Sequence, residues 1–205
     1  MSPAGTGPAP GQGQPWRPRR ADARRNHELL LAAAREVFSE RGAGAPLDDI
    51  ARRAGIGNAT MYRHFPDRRE LIIAVYADEV AALCAQGDAL LEDRSPGDAV
   101  FTWLRAFIGH VTAKRELALA IPDDEGGQRS ALFDRWHHAM HLITSKLLSR
   151  AQACGSVSAD LDASVLLTLA NGIAVASADT DQAERCLELL RHGAASKPAP
   201  IQPSP

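Results

Sequence analysis

Apolar residues recur along this chain at the three- and four-residue intervals of an α-helix almost from end to end, and no stretch alternates as a strand would. Leu30, Ala33, Ala34, Val37 and Phe38 mark one stripe and predict a helix over 22–41. Leu47, Ile50, Ala51 and Ala54 mark a shorter one, which Gly55 stops, because glycine accepts the left-handed conformation of a helix end. Ile56 offers an apolar plug for the turn, and Gly57-Asn58 joins a flexible residue to an N-cap type, so a second short helix begins at about Asn58. Within it Met61 and Phe65 share an inward face, Ala59, Thr60, Arg63 and His64 project the other way, and Tyr62 sits at the border. Pro66 ends the run, and Asp67-Arg68-Arg69-Glu70 opens a further helix whose stripe is Leu71, Ile72, Val75 and Tyr76. Two short amphipathic helices about a glycine-bearing turn read as a helix-turn-helix, completed to three helices by the one upstream.

Breakers divide the rest at Ser95-Pro96-Gly97, at the loop from Ile121 to Gly127, at Gly155-Ser156 and around Asp179. The pattern predicts helices over 67–91, 98–112, 115–120, 128–154, 162–177 and 181–192, about nine in all, and an all-α fold. No stretch is long and apolar enough to span a membrane. The last two helices carry Leu166, Leu169, Ala170, Ile173 and Ala174 on one stripe and Ala183, Cys186, Leu187 and Leu190 on another. That is more apolar face than a monomer needs. With Gly172 and Ala176 allowing close approach, it predicts a homodimer built on a four-helix bundle, two helices from each subunit.

The run Ile50-Ala51-x-x-Ala54-Gly55-Ile56-x-x-x-Thr60-Met61-Tyr62-x-His64-Phe65, with Arg69-Glu70-Leu71 after it, resembles the DNA-binding signature of the TetR family of transcriptional regulators, over roughly residues 24–76. One departure is visible: the family usually has Thr or Ser where this chain has Ala45-Pro46, so one hydroxyl contact to the DNA backbone is missing. The segments Leu132-Phe133-Asp134-Arg135-Trp136 and Leu169-Ala170-Asn171-Gly172-Ile173-Ala174 are similar to an actinobacterial-type branch of that family. The resemblance implies double-stranded DNA as partner and assigns roles that the side-chain chemistry suits. Thr60, Tyr62 and His64 would hold phosphates, with Arg68 or Arg69 adding a cation at the head of the next helix. Asn58 would read adenine, Arg63 guanine, and Ala59 a thymine methyl. Arg17, Arg19, Arg20, Arg24 and Arg25 have the composition of an arm that follows a phosphate backbone.

Charge changes the picture by its distribution. Residues 1–75 hold 12 Lys or Arg against 8 Asp or Glu, and the remainder 11 against 17, so a net charge of −2 conceals a basic end and an acidic body. The division expected is a disordered basic tail over 1–18, a helix-turn-helix domain over 19–66, a ligand-binding and dimerisation domain over 67–192 and a disordered tail over 193–205. Cys84, Cys154 and Cys186 are scattered without metal spacing, and no secretory segment opens the chain, which suggests reduced thiols in a cytoplasmic protein.

Large apolar pairs at i, i+4 offer candidate pocket walls: Trp103 with Phe107, and Trp136 with Met140, His137 lying beside them. Asp134, His137, His138 and His141 read as a solvated polar face, and neither a metal nor a cofactor is expected. No nucleophile elbow, phosphate loop, metalloprotease helix or paired carboxylates appear, so the expectation is not an enzyme. The resemblance implies a homodimeric repressor on a palindromic operator, released by a small-molecule effector; the alternative is an activator, or a regulator without a small ligand.

Overall fold

The computed structural model describes residues 18–121 and 128–195, with side chains from residue 21 in the first stretch and from residue 131 in the second. Of the tails expected over 1–18 and 193–205, residues 1–17, Arg17 among them, and 196–205 lie outside the described residues, as do the side chains of Arg19 and Arg20, while Pro18 and residues 193–194 belong to helices. Eight helices are found there: α1 Pro18–Arg41, α2 Leu47–Arg53, α3 Asn58–His64, α4 Arg68–Leu90, α5 Pro96–Leu119, α6 Gln128–Ala153, α7 Ala163–Ala176 and α8 Thr180–Ala194. The fold is all-α, as expected; an isolated bridge between Val157 and Ala195 is the one β contact among the described residues.

The count differs from nine because the two pieces expected over 98–120 are one helix. Lys114, Arg115 and Glu116 interrupt the apolar pattern, but Leu117 and Ile121 are buried, so the stripe of Trp103, Leu104, Phe107 and Ile108 simply continues past a solvated patch. Two other ends also differ. α1 starts at Pro18, a residue suited to a first helical turn, and α8 continues to Ala194, which is buried and whose carbonyl accepts from the Ser158 amide at 2.9 Å. Asp67, Asp162 and Asp179 cap α4, α7 and α8, each accepting the backbone N–H three residues on.

Helices α4, α5, α6 and α7 pack on one another around a core centred on Trp103, which is fully buried. The Trp103 indole N–H donates to the Thr144 hydroxyl at 2.8 Å, and that hydroxyl donates in turn to the Met140 carbonyl, so the polar atoms buried there are paired. Gly87 of α4 makes this crossing possible. A Cβ on it would lie 2.3 Å from Ile143 Cγ2 and 3.0 Å from the Trp103 ring.

Helix α1 bridges the two ends of the molecule, since it packs on both α2 and α4. Arg35 of α1 pairs with Asp78 and, at 3.6 Å, with Glu79 of α4, and Glu79 also accepts Lys114 of α5 at 3.1 Å. This half-buried network fastens the helix-turn-helix end to the body through three helices.

Candidate nucleic-acid interface

The interface is built on a turn. Pro46 precedes α2 with no side-chain cap, and α2 buries Leu47, Ile50 and Ala51. Gly55 closes it at φ 68°, a conformation that a side chain would strain, and the Ile56 amide returns to the Ala51 carbonyl at 2.9 Å. Gly57, in extended conformation, then caps α3, so Asn58 is not the cap that the sequence suggested but the first helical residue, with its side chain exposed. Met61 and Phe65 are buried, as their spacing predicts.

With that face committed to the core, Asn58, Ala59, Tyr62 and Arg63 stand on one exposed face of α3, at i, i+1, i+4 and i+5. Tyr62 is 46% exposed, and its hydroxyl donates to Asp48 of α2 at 3.4 Å. Thr60 and His64 are half-buried at its edges. His64 also meets His27 of α1, with ring centroids 6.1 Å apart, and His27 stacks on Phe65 at 5.0 Å. Partial burial, and then the neighbouring His27 and Arg63, push the His64 imidazole below its ordinary range.

Several arginines near this face are already engaged. Arg41 and Arg52 both pair with Asp49, and Arg53 pairs with Glu36 and Glu40, which raises the guanidinium further and holds the Glu40 carboxyl below its usual range. Arg24 lies 3.8 Å from Glu28, Arg25 is exposed, and Arg69 is half-buried at the head of α4. Arg68 does not present its charge as the sequence suggested: its Nη1 donates to the carbonyls of Ala43 at 2.8 Å and Ala45 at 2.5 Å, so it braces the loop before α2 against the start of α4. Arg68→Ala therefore leaves two carbonyls without this donor and is expected to destabilise the fold by roughly 1–3 kcal/mol, read as a lower thermal midpoint. An unchanged midpoint with weakened DNA binding would mean that Arg68 serves phosphate alone.

Solved structures with this arrangement carry a consistent identity. A TetR transcriptional regulator from Streptomyces coelicolor matches at 35% identity and TM-score 0.70, over 84% of this chain and 99% of its own. A TetR transcription regulatory protein from Mycobacterium vanbaalenii matches at 32% identity and TM-score 0.70, over 87% of this chain and 99% of its own. The chain belongs to the TetR family. The family model for bacterial regulatory proteins of the tetR family matches residues 30–75, and the model for the C-terminal domain of SbtR-like transcriptional regulators matches residues 95–195. The HTH-type transcriptional activator FasR of Mycolicibacterium smegmatis is 49% identical over 47 residues, and the chain spans only 22% of that relative's length. The protein is thus a DNA-binding transcriptional regulator with the TetR fold, and its family is generally non-enzymatic.

The structure redistributes the residues expected to line a pocket in the body. Trp103 is enclosed by its own core, and Trp136 packs on Tyr76 at 4.6 Å and on Phe133 at 5.2 Å, both buried away from the groove between α6 and α7. Phe107, His137 and Met140 do line that groove, of about 440 Å³, together with His138, His141 and Asn171. His141 holds the two helices together, with Nε2 3.1 Å from the Ser164 hydroxyl. No metal-holding cluster occurs among the described residues, and no described helix is long and apolar enough to cross a membrane.

The apolar stripe expected at the dimer surface is also redistributed. Leu166, Ala170 and Leu187 are buried within the subunit, Ile173, Ala183 and Leu190 are half-buried, and of the set only Leu169 is exposed, at 44%. The exposed face of α7 is instead Val165, Leu169, Gly172 and Ala176, spaced 4, 3 and 4, with Leu189 of α8 exposed at 73%. Apart from its Ser164–Thr168–Asn171 stripe helix α7 is apolar, so two faces carried the period and only packing distinguishes them. His27 was missed for another reason: it lies 37 residues from His64, and helical spacing says nothing about neighbours across two helices.

Proposed function

We propose that the protein is a cytoplasmic homodimeric repressor that holds a palindromic operator through α3 and is released by a small-molecule effector bound in the body. The observation that carries this reading is the exposed face Asn58, Ala59, Tyr62 and Arg63 on a helix whose other face is locked into the core. Base reading would fall to Asn58, Ala59 and Arg63, and phosphate contact to Thr60, Tyr62, His64, Arg69 and the α1 arginines Arg24 and Arg25. Residues 19–66 would form the DNA-binding unit and α4–α8 the ligand-binding and dimerising unit.

Dimerisation is supported by the apolar stripe of α7. Val165 and Leu169 are exposed large residues, while Gly172 and Ala176 beside them let a partner helix approach closely. A two-fold pair of such subunits presents two copies of α3 to two half-sites.

The groove between α6 and α7 suits a small amphipathic ligand: Phe107, Met140 and Leu167 offer apolar walls, and His138, Thr168 and Asn171 offer donors. A ligand there can reach the DNA end through α5. Phe107 lies two helical turns from Lys114, which the Glu79 carboxylate joins to Arg35 of α1. An effector that binds better to the geometry unable to grip DNA shifts the population by its differential affinity, with no chemistry needed.

The activator reading has one observation in its favour, the activator role of FasR, but that match covers only 47 residues and 22% of FasR, too little to carry the sign of regulation. In vitro transcription from the chain's own upstream DNA decides. Transcript falling as protein is added, and recovering with a compound that shifts the protein's thermal midpoint, is the expected result; transcript rising with protein would replace repressor by activator.

A further inference from the structure

We propose that His27 and His64 form one phosphate-binding site across the junction of α1 and α3, and that seating a DNA phosphate there takes up a proton, so that the protein grips DNA more tightly as the pH falls. The site is assembled from two helices. His64 is the last residue of α3, next to the exposed Tyr62–Arg63 face, and His27 lies one turn beyond Arg24 on α1. Their ring centroids are 6.1 Å apart, a separation that a phosphate oxygen can bridge with one N–H donated from each side.

Neither imidazole has a hydrogen-bond partner among the described residues, although both are half-buried. His27 is held in place by its face, stacked at 5.0 Å and 30° on the buried Phe65 ring. The carbonyl end of α3 favours a cation at His64.

What opposes charging of His64 in the free protein is its surroundings. Partial burial, and after it His27 from α1 and Arg63 from α3 itself, hold the His64 imidazole below its ordinary range. The remaining ionisable groups nearby are turned elsewhere. On α1, Glu28 is 3.8 Å from Arg24; at the start of α4, Asp67 accepts the Glu70 amide and Arg68 holds the Ala43 and Ala45 carbonyls.

A phosphate between them reverses the balance. Its negative charge raises the bound-state titration of His64 above the free-state one, so binding takes up a proton between those two values and becomes tighter as pH falls through that window. Because the free His64 imidazole lies below its ordinary range, the window opens there and extends upward to the bound-state value. One coupled proton whose titration moves by one unit corresponds to a tenfold change in affinity.

The test is fluorescence anisotropy of the full chain on a labelled duplex of fixed sequence, at constant ionic strength, from pH 8 to pH 6. A backbone contact does not depend on which duplex is chosen. The Kd is expected to fall by roughly fivefold to tenfold. The double variant His27→Gln, His64→Gln is expected to lose that slope, while His192→Gln, exposed at the end of α8, retains it; thermal melts check that each is folded. In the wild type, a duplex carrying a neutral methylphosphonate at one position in each half-site is expected to lose the slope as well. Salt-dependent binding whose Kd is flat across pH, or a double variant with the full slope, would overturn the proposal while leaving DNA binding intact.

Discussion

Leu169→Arg is expected to convert the protein to a monomer and to weaken binding to a palindromic duplex by roughly a hundredfold or more, because a dimer engages its second half-site at high effective concentration and a monomer does not. The subunit itself should survive the change. Leu169 is 44% exposed on α7, so the guanidinium can reach water in the free chain and loses it only when a partner covers the helix. Leu166→Arg, three residues earlier, is the contrast. Leu166 is fully buried, and a charge there has no partner and no route to solvent, so that variant should fail to fold rather than fail to pair. Sedimentation velocity beside a thermal melt separates the two outcomes. A folded Leu169→Arg dimer would remove α7 from the interface.

Gly87→Ala is expected to lower the thermal midpoint, against the usual effect of the same exchange. In a helix interior alanine is favoured over glycine by about 1 kcal/mol. At Gly87 the added Cβ would stand 2.3 Å from Ile143 Cγ2 and 3.0 Å from the Trp103 ring. Ile143 is β-branched and buried, with little rotamer freedom to yield, and Trp103 is fixed by its hydrogen bond to Thr144. Overpacking of this kind costs about 1–3 kcal/mol, which outweighs the propensity gain at most of that range and lowers the midpoint by a few degrees. Gly109→Ala in α5 meets no such obstacle within 4 Å and should raise the midpoint instead. Equal signs at the two positions would show that α4 and α5 do not approach as described.

The helix-turn-helix was legible in the sequence because local signals there agree. The Met61–Phe65 pair, the Gly55 stop and the Pro66 exit each fix a separate feature, and the structure realises all three. The body was legible as helices but not as surfaces. In α7 the stripe Leu166–Ala170 and the stripe Val165–Leu169 are both apolar at helical spacing, and which one faces the subunit core is decided by where α5 and α6 lie, which no local pattern records. Arg68 misled for a related reason. A cation at a helix start next to a DNA-binding segment suggests phosphate, whereas the two loop carbonyls it meets come from residues more than 20 positions earlier. Trp103 looked like a pocket wall until a threonine on another helix supplied its hydrogen-bond partner.

The most direct test of a dimeric operator-binding regulator is an anisotropy titration of the purified chain against duplexes tiled across its own upstream DNA, repeated over a salt series and with stoichiometry fixed by sedimentation of the complex. Two chains on one palindromic fragment, with affinity falling steeply as salt rises and much reduced by Tyr62→Phe and Arg63→Ala, is the expected result. One chain per site, or binding that ignores both substitutions and the palindrome, would contradict it.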